Sequence, residues 1–406
     1  MVNKINIEYT DKGNISENNI TFDIKGTKED GLHKTVVNSI RRVLLSSIPT
    51  VGFRTDMNNT DIKIIKNTTS LHNEYLLHRI SMIPLYINPI DYNKDYLFKL
   101  VVSSQSDKPI ITITANDFEI YPRKEVVQNN NENEIDFENY MMDKPLSLKQ
   151  KKEIFRPFQG TEFCMITELK SSKSSIREEL ELYGIPRVSY AYEDARWQAV
   201  SCATYSFKRD DELFKQIIQE KMKIENIKEE DAYDFSNRLY ISESERYFHR
   251  DVKCEPYWYE FKVNSTHYLS SKQLFIQATE ILSKQLELLK EDLPKTVSEE
   301  DSRITIEELS KNIYKLVLHG NDDTIGSILQ SYISNKIINE GDSGFVVCGY
   351  KKSHPLEDII YFNISLEENK KSTQENIISI IELFSQACQK LIQIYSDIQK
   401  VSEKKL

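Results

Sequence analysis

The amino-acid sequence predicts an α+β fold in which one structural unit, an antiparallel sheet with helices, occurs twice. Strand, short helix, strands and long helix follow one another at the start of the chain and again after residue 310. A mixed, mainly β stretch interrupts the first copy between its short helix and its long one. Because each copy exposes an apolar helical face, the two can bury these faces against each other as an intrachain pseudo-dimer. The expected boundaries are 1–53 plus 211–290 for the first copy, 54–210 for the inserted domain, 291–310 for a linker and 311–406 for the second copy.

The composition is typical of a folded protein of two or three domains. The chain has 406 residues, of which 29% are charged and 39% hydrophobic, and its formal net charge is −10. An acidic chain lacks the basic field that attracts phosphate, which disfavours a free nucleic-acid binder. The five cysteines include no C-x-x-C pair and no signal segment opens the sequence, so we expect a reducing, intracellular and cytoplasmic location. No apolar stretch approaches the roughly 20 residues that cross a bilayer, and we expect no membrane partner.

The first copy begins with two strands and a short helix. Apolar and polar residues alternate around residues 5–9 and 20–24, which indicates two strands joined by a turn. Val36, Ile40 and Leu44 then recur at spacings of four on one helical face, and Pro49 ends the pattern. From about residue 56 to residue 210 the pattern indicates mixed strand and loop, whereas the stretch up to residue 255 is charged and has no clear period.

Two long amphipathic helices complete the copies. The first steps by four and three through Leu274, Ala278, Ile281, Gln285 and Leu288, all apolar except Gln285, and the last helix carries a similar seam from Ile377 to Ile398. Such a seam is wide enough to pair with another helix. The residues expected to join the two copies are Val36, Ile40, Val43, Leu44, Leu274, Ile281, Leu288, Ile325, Leu329, Ile377, Ile381, Phe384 and Leu391.

Two glycine-containing segments look like catalytic or phosphate loops but lack the necessary partners. Segment 26–31 has the glycine spacing of a phosphate loop, yet Leu32 and His33 stand where a Lys and a Ser or Thr should hold phosphate and magnesium. A turn before a helix is the simpler interpretation. Segment 341–344, Gly-Asp-Ser-Gly, copies the nucleophile tetrapeptide of trypsin-like proteases, but a helix precedes it and the cysteines show no pairing pattern. A serine hydrolase using Ser343 is therefore kept only as an alternative.

No cluster of side chains suits a metal ion or a paired acid and base. His72 and His78 are six residues apart, which turns them about 120° from each other on a helix. Asp322 and Asp323 come directly before a helix, where an acidic N-cap explains them. We expect no metal and no cofactor.

Arg41 and Arg42 lie in the middle of the first short helix, so at least one of them points away from its apolar face. One interpretation is a solvated or locally paired arginine. The other is a docking arginine for a partner protein, because a guanidinium offers a fork of donors and is enriched at interface hot spots. The sequence alone leaves both open.

Three segments of the first copy and the insert resemble one protein family. HKTVVNSIRRVLLSSIPT (33–50) closely resembles the first helix of the α-type assembly subunits of multisubunit RNA polymerases, the family of the archaeal D-type and the eukaryotic third-largest subunits. NTTSLHNEYLLHRISMIPL (67–85) is similar to the family's Asn-x-Ser, Asp-Glu, His-Arg and Ile-Pro-Leu run, although it keeps only the glutamate of the acidic pair and has Ser81 where glycine is common. YEDARWQAV (192–200) is similar to the segment that closes the family's inserted domain.

The second copy resembles a different member of this family, the small L-type partner found in archaeal polymerases. NDDTIGS (321–327) is similar to its His-Thr-Leu-Gly-Asn helix start, with Asp323 in place of the histidine and Ser327 in place of the asparagine. CGYKKSHPLE (348–357) is similar to its Ala-Gly-Tyr and His-Pro-Leu-Glu signature. The chain therefore looks like a D–L heterodimer written as one polypeptide.

The resemblance implies a non-catalytic assembly subunit of a DNA-dependent RNA polymerase. Members of this kind dock the largest and second-largest subunits, small subunits of the N and P type join at the insert, and DNA is met only through the complex. The magnesium-binding aspartate signature of the largest subunit is absent, so we expect no polymerisation by this chain alone. Relatives often hold zinc or an iron–sulfur cluster in the insert, but Cys164 and Cys202 are too few for such a site. The candidate partner-binding residues are Arg41, Arg42, Glu74, His78, Arg79, Gly326, Tyr350, His354, Pro355 and Glu357.

The fused arrangement and the heavy use of Lys, Asn and Ile suggest an AT-rich genome. A large cytoplasmic DNA virus is the expected source, with a viral factory or virion as the location. A free-standing regulator that binds DNA directly is a second alternative, and the acidic charge balance disfavours it.

Overall fold

Two compact units make up the protein. The two-sheet unit comprises residues 1–44, 202–264 and 271–406, and the insert comprises residues 45–201 and 265–270. The computed structural model describes residues 5–9, 17–27, 32–56, 59–90, 92–105, 108–124, 140–158, 160–171, 177–228, 231–297, 303–338, 344–367 and 372–406.

Along the chain the strands and helices alternate in two similar series separated by the insert. In order they are β1 (Asn6–Tyr9), β2 (Asn19–Lys25), α1 (Lys34–Ser46), β3 (Pro49–Gly52), β4 (Thr55–Asp56), β5 (Asn59–Thr60), β6 (Ile62–Asn67), α2 (Asn73–Ser81), β7 (Tyr96–Ser103), β8 (Ile110–Thr114), β9 (Glu119–Pro122), α3 (Leu148–Ile154), β10 (Met165–Lys170), β11 (Glu179–Gly184), β12 (Arg187–Tyr190), β13 (Val200–Phe207), α4 (Asp211–Ile224), α5 (Ala232–Glu243), β14 (Trp258–Ser265), α6 (Ser271–Asp292), β15 (Ile304–Ser310), β16 (Ile313–His319), α7 (Asp323–Tyr332), β17 (Phe345–Lys352), β18 (Ile359–Leu366) and α8 (Thr373–Lys405).

The two halves of the two-sheet unit have the same strand order. The first sheet runs β1-β2-β14-β13 and the second runs β15-β16-β18-β17. In each half a short helix, α1 or α7, follows the second strand, and a long helix, α6 or α8, follows the third. The predicted α+β fold, with two copies of one unit and a mainly β insert, is confirmed.

Alternating burial turns one face of each sheet toward its helices. Phe22 and Phe261 are partners in register across β2 and β14, and both rings contact Phe275 of α6, with centroids 4.9 and 5.5 Å away. In the second sheet Phe362 of β18 contacts Phe384 of α8, with centroids 5.0 Å apart. Each long helix is thus held to its own sheet by an edge-to-face aromatic contact.

The long helices α6 and α8 join the two halves. They run antiparallel, because Lys272 near the start of α6 donates to the Glu403 carbonyl near the end of α8 at 3.1 Å. Further along the joint, Gln399 donates to the Glu280 carboxylate at 3.0 Å. The fully buried residues of the two helices include Leu274, Phe275, Ala278, Leu282, Leu286, Ile380, Phe384, Ala387, Cys388, Leu391, Tyr395 and Ile398.

Four residues expected in the joining seam lie away from its centre. Leu288 is 60% exposed, so its assignment to the seam was wrong, and Ile281, Ile377 and Ile381 are only half-buried. Both helices carry apolar residues on more than one row, so spacing alone did not identify the row that faces the partner. The other nine residues expected to join the copies are buried: Val36, Ile40, Val43, Leu44, Leu274, Ile325, Leu329, Phe384 and Leu391.

The expected linker at 291–310 was wrong over most of its length. After α6 a 3₁₀ helix covers Leu293–Val297, and β15 then pairs antiparallel with β16. Leu293 is fully buried and Ile304 nearly so, which gives this charged stretch its own apolar anchors. The stretch before β14, which had no clear period, contains the helices α4 and α5. They pack on each other through Phe214 and Tyr240, with ring centroids 6.2 Å apart.

The insert is mainly β. Its largest sheet has the order β6-β11-β7-β9, and β10-β8, β12-β3 and β4-β5 form two-stranded sheets. Its core contains the mutually contacting rings of Phe98, Phe118 and Phe155. Since β3 pairs with β12 and β13 belongs to the first sheet, the edges of the insert fall at residues 45 and 201, several residues before the expected 54 and 210.

One described helix, α8, is long and apolar enough to cross a membrane by length and composition. The sequence expectation that no stretch comes close was wrong for α8, because many of its polar residues are uncharged Ser, Gln and Asn. One side of α8 packs on α6. Two motifs considered from the sequence lie largely outside the described residues: residues 28–31 of the glycine-spaced segment, and residues 341–343 with Ser343.

Candidate protein-docking site

Arg42 connects the two halves of the two-sheet unit. Its Nε donates to Thr324 Oγ1 at 2.9 Å, and its guanidinium lies 3.5 Å from the Asp322 carboxylate. Asp322 also caps α7, because its Oδ1 accepts from the backbone N–H of Thr324 at 3.0 Å and of Ile325 at 3.4 Å. Arg42 is therefore paired within the chain, as one of the two interpretations expected. Its partners lie in the other half of the two-sheet unit and not in its own helix.

A buried hydroxyl pair makes a second contact between the halves. Ser39 Oγ of α1 donates to the Val36 carbonyl at 2.6 Å and lies 2.7 Å from the Tyr395 hydroxyl of α8. Since a serine hydroxyl has one proton, Tyr395 must be the donor to Ser39. Burial raises the pKa of Tyr395 well above its usual value, so the phenol keeps its proton.

A third contact joins the start of α1 to the end of α7. The His33 ring Nδ1 accepts from the backbone N–H of Thr35 at 3.3 Å, and its Nε2 lies 3.2 Å from the Asn335 amide nitrogen. Asn335 lies in the π-helical segment Ile333–Ile338 that follows α7. Burial lowers the pKa of His33, which favours the neutral ring, whose unprotonated Nδ1 accepts from Thr35.

Gly326 has a packing role at the same place. A Cβ at this position would lie 2.6 Å from Cδ2 of Tyr350, so only glycine lets the Tyr350 ring of β17 approach α7 this closely. Tyr350 and Arg42 also line one small cleft together with Asn38, Thr324 and Ser327. Three of the candidate partner-binding residues, Arg42, Gly326 and Tyr350, are thus brought together between α1, α7 and β17.

The other candidates of the second half lie on an exposed turn after β17. The Leu356 N–H donates to His354 Nδ1 at 3.2 Å and the Glu357 N–H donates to the His354 carbonyl at 3.2 Å, which closes the turn. His354, Pro355 and Glu357 are exposed. Leu356, between them, is 87% exposed. Sequence reasoning named its neighbours and missed it, although the matched segment contains it.

In the insert, Glu74 and His78 lie on the exposed side of α2, whereas Arg79 is used internally. The Arg79 guanidinium donates to the carbonyls of Ile166 and Met165 of β10 at 2.7 and 3.0 Å. An arginine that holds a neighbouring strand has fewer donors left for a partner. The exposed side of α2 also presents two large side chains that were not singled out from the sequence, Tyr75 and Met82.

The loop before α2 and the segment that closes the insert are built by specific contacts. Asn67 donates to the Leu71 carbonyl at 2.9 Å and accepts from the Thr69 N–H at 3.0 Å, which fixes the turn in the Asn-x-Ser position. Trp197 is buried against Gly52, where a Cβ would lie 2.9 Å from the indole nitrogen. Two of the three segments that suggested the family thus have visible structural roles in the insert.

The insert also contains a cleft of about 660 Å³ with an aromatic lining. The Arg156 guanidinium lies over the Tyr86 ring, 4.3 Å from its centroid, and the rings of Tyr92 and Tyr96 are stacked. Within the part of the chain that the structure describes, no three His, Cys, Asp or Glu side chains come together as metal ligands would.

Each half has the architecture of a dimerisation domain, a sheet with helices that pairs with a second copy through those helices. This chain contains two such domains, which pair with each other. Residues 21–286 match the family described as the RNA polymerase Rpb3/Rpb11 dimerisation domain. A second description of the same domain matches residues 314–401. The chain therefore belongs to the RNA polymerase Rpb3/Rpb11 dimerisation domain family, the α-like subunits of that enzyme.

Individual relatives are similar at lower coverage. The chain is 32% identical over 88 residues to the DNA-directed RNA polymerases I and III subunit rpac1 of Dictyostelium discoideum, which is 19% of this chain and 24% of that protein. It is 25% identical over 178 residues to the DNA-directed RNA polymerase subunit Rpo3 of Methanosphaera stadtmanae, covering 44% and 55% of the two chains. It is 24% identical over 315 residues to the DNA-directed RNA polymerase II subunit RPB3 of Schizosaccharomyces pombe, covering 73% and 90%. The chain thus spans less than two thirds of the length of the first two relatives.

Proposed function

We propose that this protein is a non-catalytic assembly subunit of a DNA-directed RNA polymerase, in which a D-type and an L-type part are fused into one chain. It docks the largest and second-largest catalytic subunits for transcription. The observation that carries the proposal is the joint between α6 and α8, because the two segments that match the family separately bury their long helices against each other. A partner-independent joint of this kind is what an assembly platform needs.

Two surfaces are proposed to hold the catalytic subunits. The α2 surface consists of Glu74, Tyr75, His78 and Met82, and the turn surface consists of His354, Pro355, Leu356 and Glu357. Both present large apolar side chains in the open beside charged or polar ones, the composition that binding sites for proteins commonly have.

The arginines receive different roles. Arg41 is half-exposed and donates to the Asn38 amide oxygen at 2.9 Å, so we keep it as a candidate for partner contact. Arg42 and Arg79 have partners within the chain, and Gly326 and Tyr350 pack on each other. For these four residues we propose that they shape the docking surfaces without supplying the main contacts.

The aromatic cleft of the insert is our candidate for a small polymerase subunit of the N or P type. The resemblance implies that these small subunits join at the insert, and the cleft of about 660 Å³ is the concave surface that the insert offers them. The tyrosines offer large contact areas at low conformational cost, as hot-spot residues do.

Co-purification tests the α2 surface. The tagged full-length chain is co-expressed with the two large subunits, and the double variant Tyr75→Ala, His78→Ala is compared with the parent chain. The matched control is Tyr233→Ala, Asn237→Ala on α5, since Tyr233 is 76% exposed on a helix of the two-sheet unit. We expect the first variant to lose at least one large subunit while the control recovers both. Full recovery of both large subunits with the first variant would exclude the α2 surface.

Cleavage tests the fusion. A protease site introduced at residues 298–302 separates the D-type from the L-type part after purification. Because the α6–α8 joint is extensive, we expect the two pieces to stay together in gel filtration. After denaturation, reassembly of the cut pieces should depend on protein concentration and that of the uncut chain should not, since a tether supplies an effective concentration in the millimolar range. Pieces that separate at once after cleavage would contradict the assembly platform.

We further propose a large DNA virus as the source, with the virus factory or the virion as the site of action. The support is the fused arrangement and the Lys-, Asn- and Ile-rich composition. Affinity purification from the native source, with identification of the co-eluting chains, tests the source, the location and the small subunits together.

A further inference from the structure

The outer faces of the two sheets, turned away from the helices, differ sharply in the two-sheet unit. On the first sheet the outward residues Asp23 and Glu260 both accept from Lys208, at 3.2 and 2.9 Å. The outward Trp258 donates to Asp23 at 3.0 Å, and the His249 ring stacks on its indole with centroids 4.6 Å apart. Lys208 and His249 come from segments that flank α4 and α5. The first sheet therefore has its own cover, which neutralises its carboxylates and packs on its aromatic ring.

The second sheet has no such cover among the described residues, and two of its outward residues are lysines, with the opposite charge to Asp23 and Glu260; Glu307 of β15 is in register with one of them, Lys315. Lys315 of β16 lies over the Tyr361 ring of β18, with its Nζ 4.7 Å from the ring centroid. Lys351 of β17 is the register partner of Tyr361 on the other side. Val317 of β16 is the register partner of Tyr361 and Val347 of β17 that of Ser365, so both point outward on the same face, and Val347 is 54% exposed. We call Lys315, Val317, Val347, Lys351 and Tyr361 the basic sheet face.

The two lysines have no carboxylate partner within the part of the chain that the structure describes, where no ion pair of Lys315 or Lys351 is found within 4.0 Å. Their field acts on the ring between them. A hydrogen bond with Ser353 lowers the pKa of Tyr361, and the charges of Lys351 and Lys315 lower it further. A positive potential on an open, partly apolar surface favours a negatively charged ligand that also has apolar side chains.

We propose that the basic sheet face binds an acidic peptide segment of a partner protein, with carboxylates at Lys315 and Lys351 and an apolar side chain against Tyr361 and Val317. The first sheet makes the corresponding contacts within the chain, where Asp23 and Glu260 of the sheet bind a lysine, Lys208, from a neighbouring segment. A peptide is favoured over a nucleic acid because the basic sheet face has only two lysines, and Glu307, the register partner of Lys315 on β15, offsets part of their charge. Tight phosphate binding needs many cations acting together. The proposal does not depend on the docking of the large subunits.

The test uses the full-length chain and a fluorescein-labelled peptide built from glutamates and phenylalanines, followed by fluorescence anisotropy at low salt. The double variant Lys315→Glu, Lys351→Glu removes two attractions and adds two repulsions, so we expect binding to weaken on the order of tenfold or more. The matched control, Lys262→Glu with Lys400→Glu, makes the same change in net charge at exposed lysines outside the basic sheet face. It should retain affinity within about twofold.

A second variant separates the aromatic contribution from the charge. Tyr361→Ala removes the ring and should weaken the peptide severalfold, whereas Tyr361→Phe keeps the ring and should bind as the parent chain does. Circular dichroism checks that each variant is folded. The proposal is overturned if the peptide does not bind at low salt, if the control pair weakens it as much as the Lys315 and Lys351 pair, or if an oligo-thymidine of similar length binds more tightly than the peptide.

Discussion

The two sheets of the two-sheet unit are alike toward their helices and different toward the outside. On the inner side Phe261 and Phe362 occupy the third strand of each sheet, and each contacts the phenylalanine of its own long helix, Phe275 or Phe384. On the outer side the first sheet is covered by Lys208 and neighbouring residues, and the second is open among the described residues. The inner sides must both serve the joint between α6 and α8, which restricts their chemistry. The outer sides carry no shared requirement, so each half has a different outer surface.

The short helices differ in a related way. α1 ends at Ser46, whereas α7 continues into the π-helical segment Ile333–Ile338. That segment carries Asn335 toward His33 of the other half. π-Helical turns are rare and frequent at functional positions. Here the wider turn coincides with a contact between the halves, so the second half adapts its short helix to the first.

The largest effect is expected from removing the phenylalanine by which a long helix packs on its own sheet. Phe384→Ala should lower the free energy of unfolding by about 3–5 kcal/mol, because the ring is fully buried and its neighbours cannot close the cavity. Phe275→Ala should cost a similar amount. Urea denaturation followed by circular dichroism measures both. The control on α8 is Ile378→Ala, which removes a 50% exposed side chain and should change stability by about 0.5 kcal/mol or less.

If the two halves share one joint, both phenylalanine variants should shift a single unfolding transition of the two-sheet unit. Two transitions, one moved by Phe275→Ala and the other by Phe384→Ala, would mean that the halves unfold independently. That result would contradict the description of α6 and α8 as a common core.

A substitution at Gly326 tests a feature of α7, which packs through this glycine against the ring of Tyr350 on β17. Gly326→Ala should lower the free energy of unfolding by about 1–3 kcal/mol, since the new Cβ would meet the Tyr350 ring and force it aside. Gly349→Ala on β17 is the control, because no atom lies within 4 Å of its added Cβ. Equal thermal unfolding temperatures of the two variants would show that the Tyr350 ring moves away at no cost.

The repeated order of elements and most of the buried residues could be predicted from the sequence, because strand alternation and helical spacing depend on local pattern. The row of α8 that faces α6 could not be chosen in the same way. Ile377, Ile380 and Ile381 are all apolar, and only packing selects Ile380 for full burial. Arg42 shows a similar limit at the candidate site. Its partners Thr324 and Asp322 are 282 and 280 residues away in the chain, so no local pattern indicated the contact.

The many charged residues at 291–310 led to the wrong prediction of a linker, and the charged stretch that contains α4 and α5 gave no prediction of secondary structure. Most of β15 is exposed and only Ile304 is buried, so its short alternation with Ile306 was not recognised as a strand. The segments that resembled a known family identified residues that periodicity could not. They contain Trp197 and Gly326, which pack closely against their neighbours but follow no periodic pattern in the sequence.

Substitutions in the buried hydroxyl pair of Ser39 and Tyr395 test the contact between the halves, with a smaller expected loss of stability than the phenylalanine variants. Ser39→Ala should cost about 1–3 kcal/mol, because the buried Tyr395 hydroxyl loses its acceptor. Adding Tyr395→Phe removes the unsatisfied group, so the double variant should be more stable than Ser39→Ala alone. Equilibrium unfolding of the parent chain, both single variants and the double variant gives the coupling energy. Strict additivity of the two substitutions would indicate that the hydroxyls do not interact.

Arg42 should give the smallest effect and the sharpest distinction between stability and docking. Its side chain and that of Asp322 are 41% and 49% exposed, so solvent screens the pair and Arg42→Ala should lower the free energy of unfolding by only about 1 kcal/mol or less. That loss should shrink as salt is raised, and Arg41→Ala should cost less still. The same variants are then tested for co-purification with the large subunits. If Arg42 acts only between the halves, Arg42→Ala keeps both large subunits; loss of one of them without a matching loss of stability would instead make Arg42 a docking residue that contacts a partner directly.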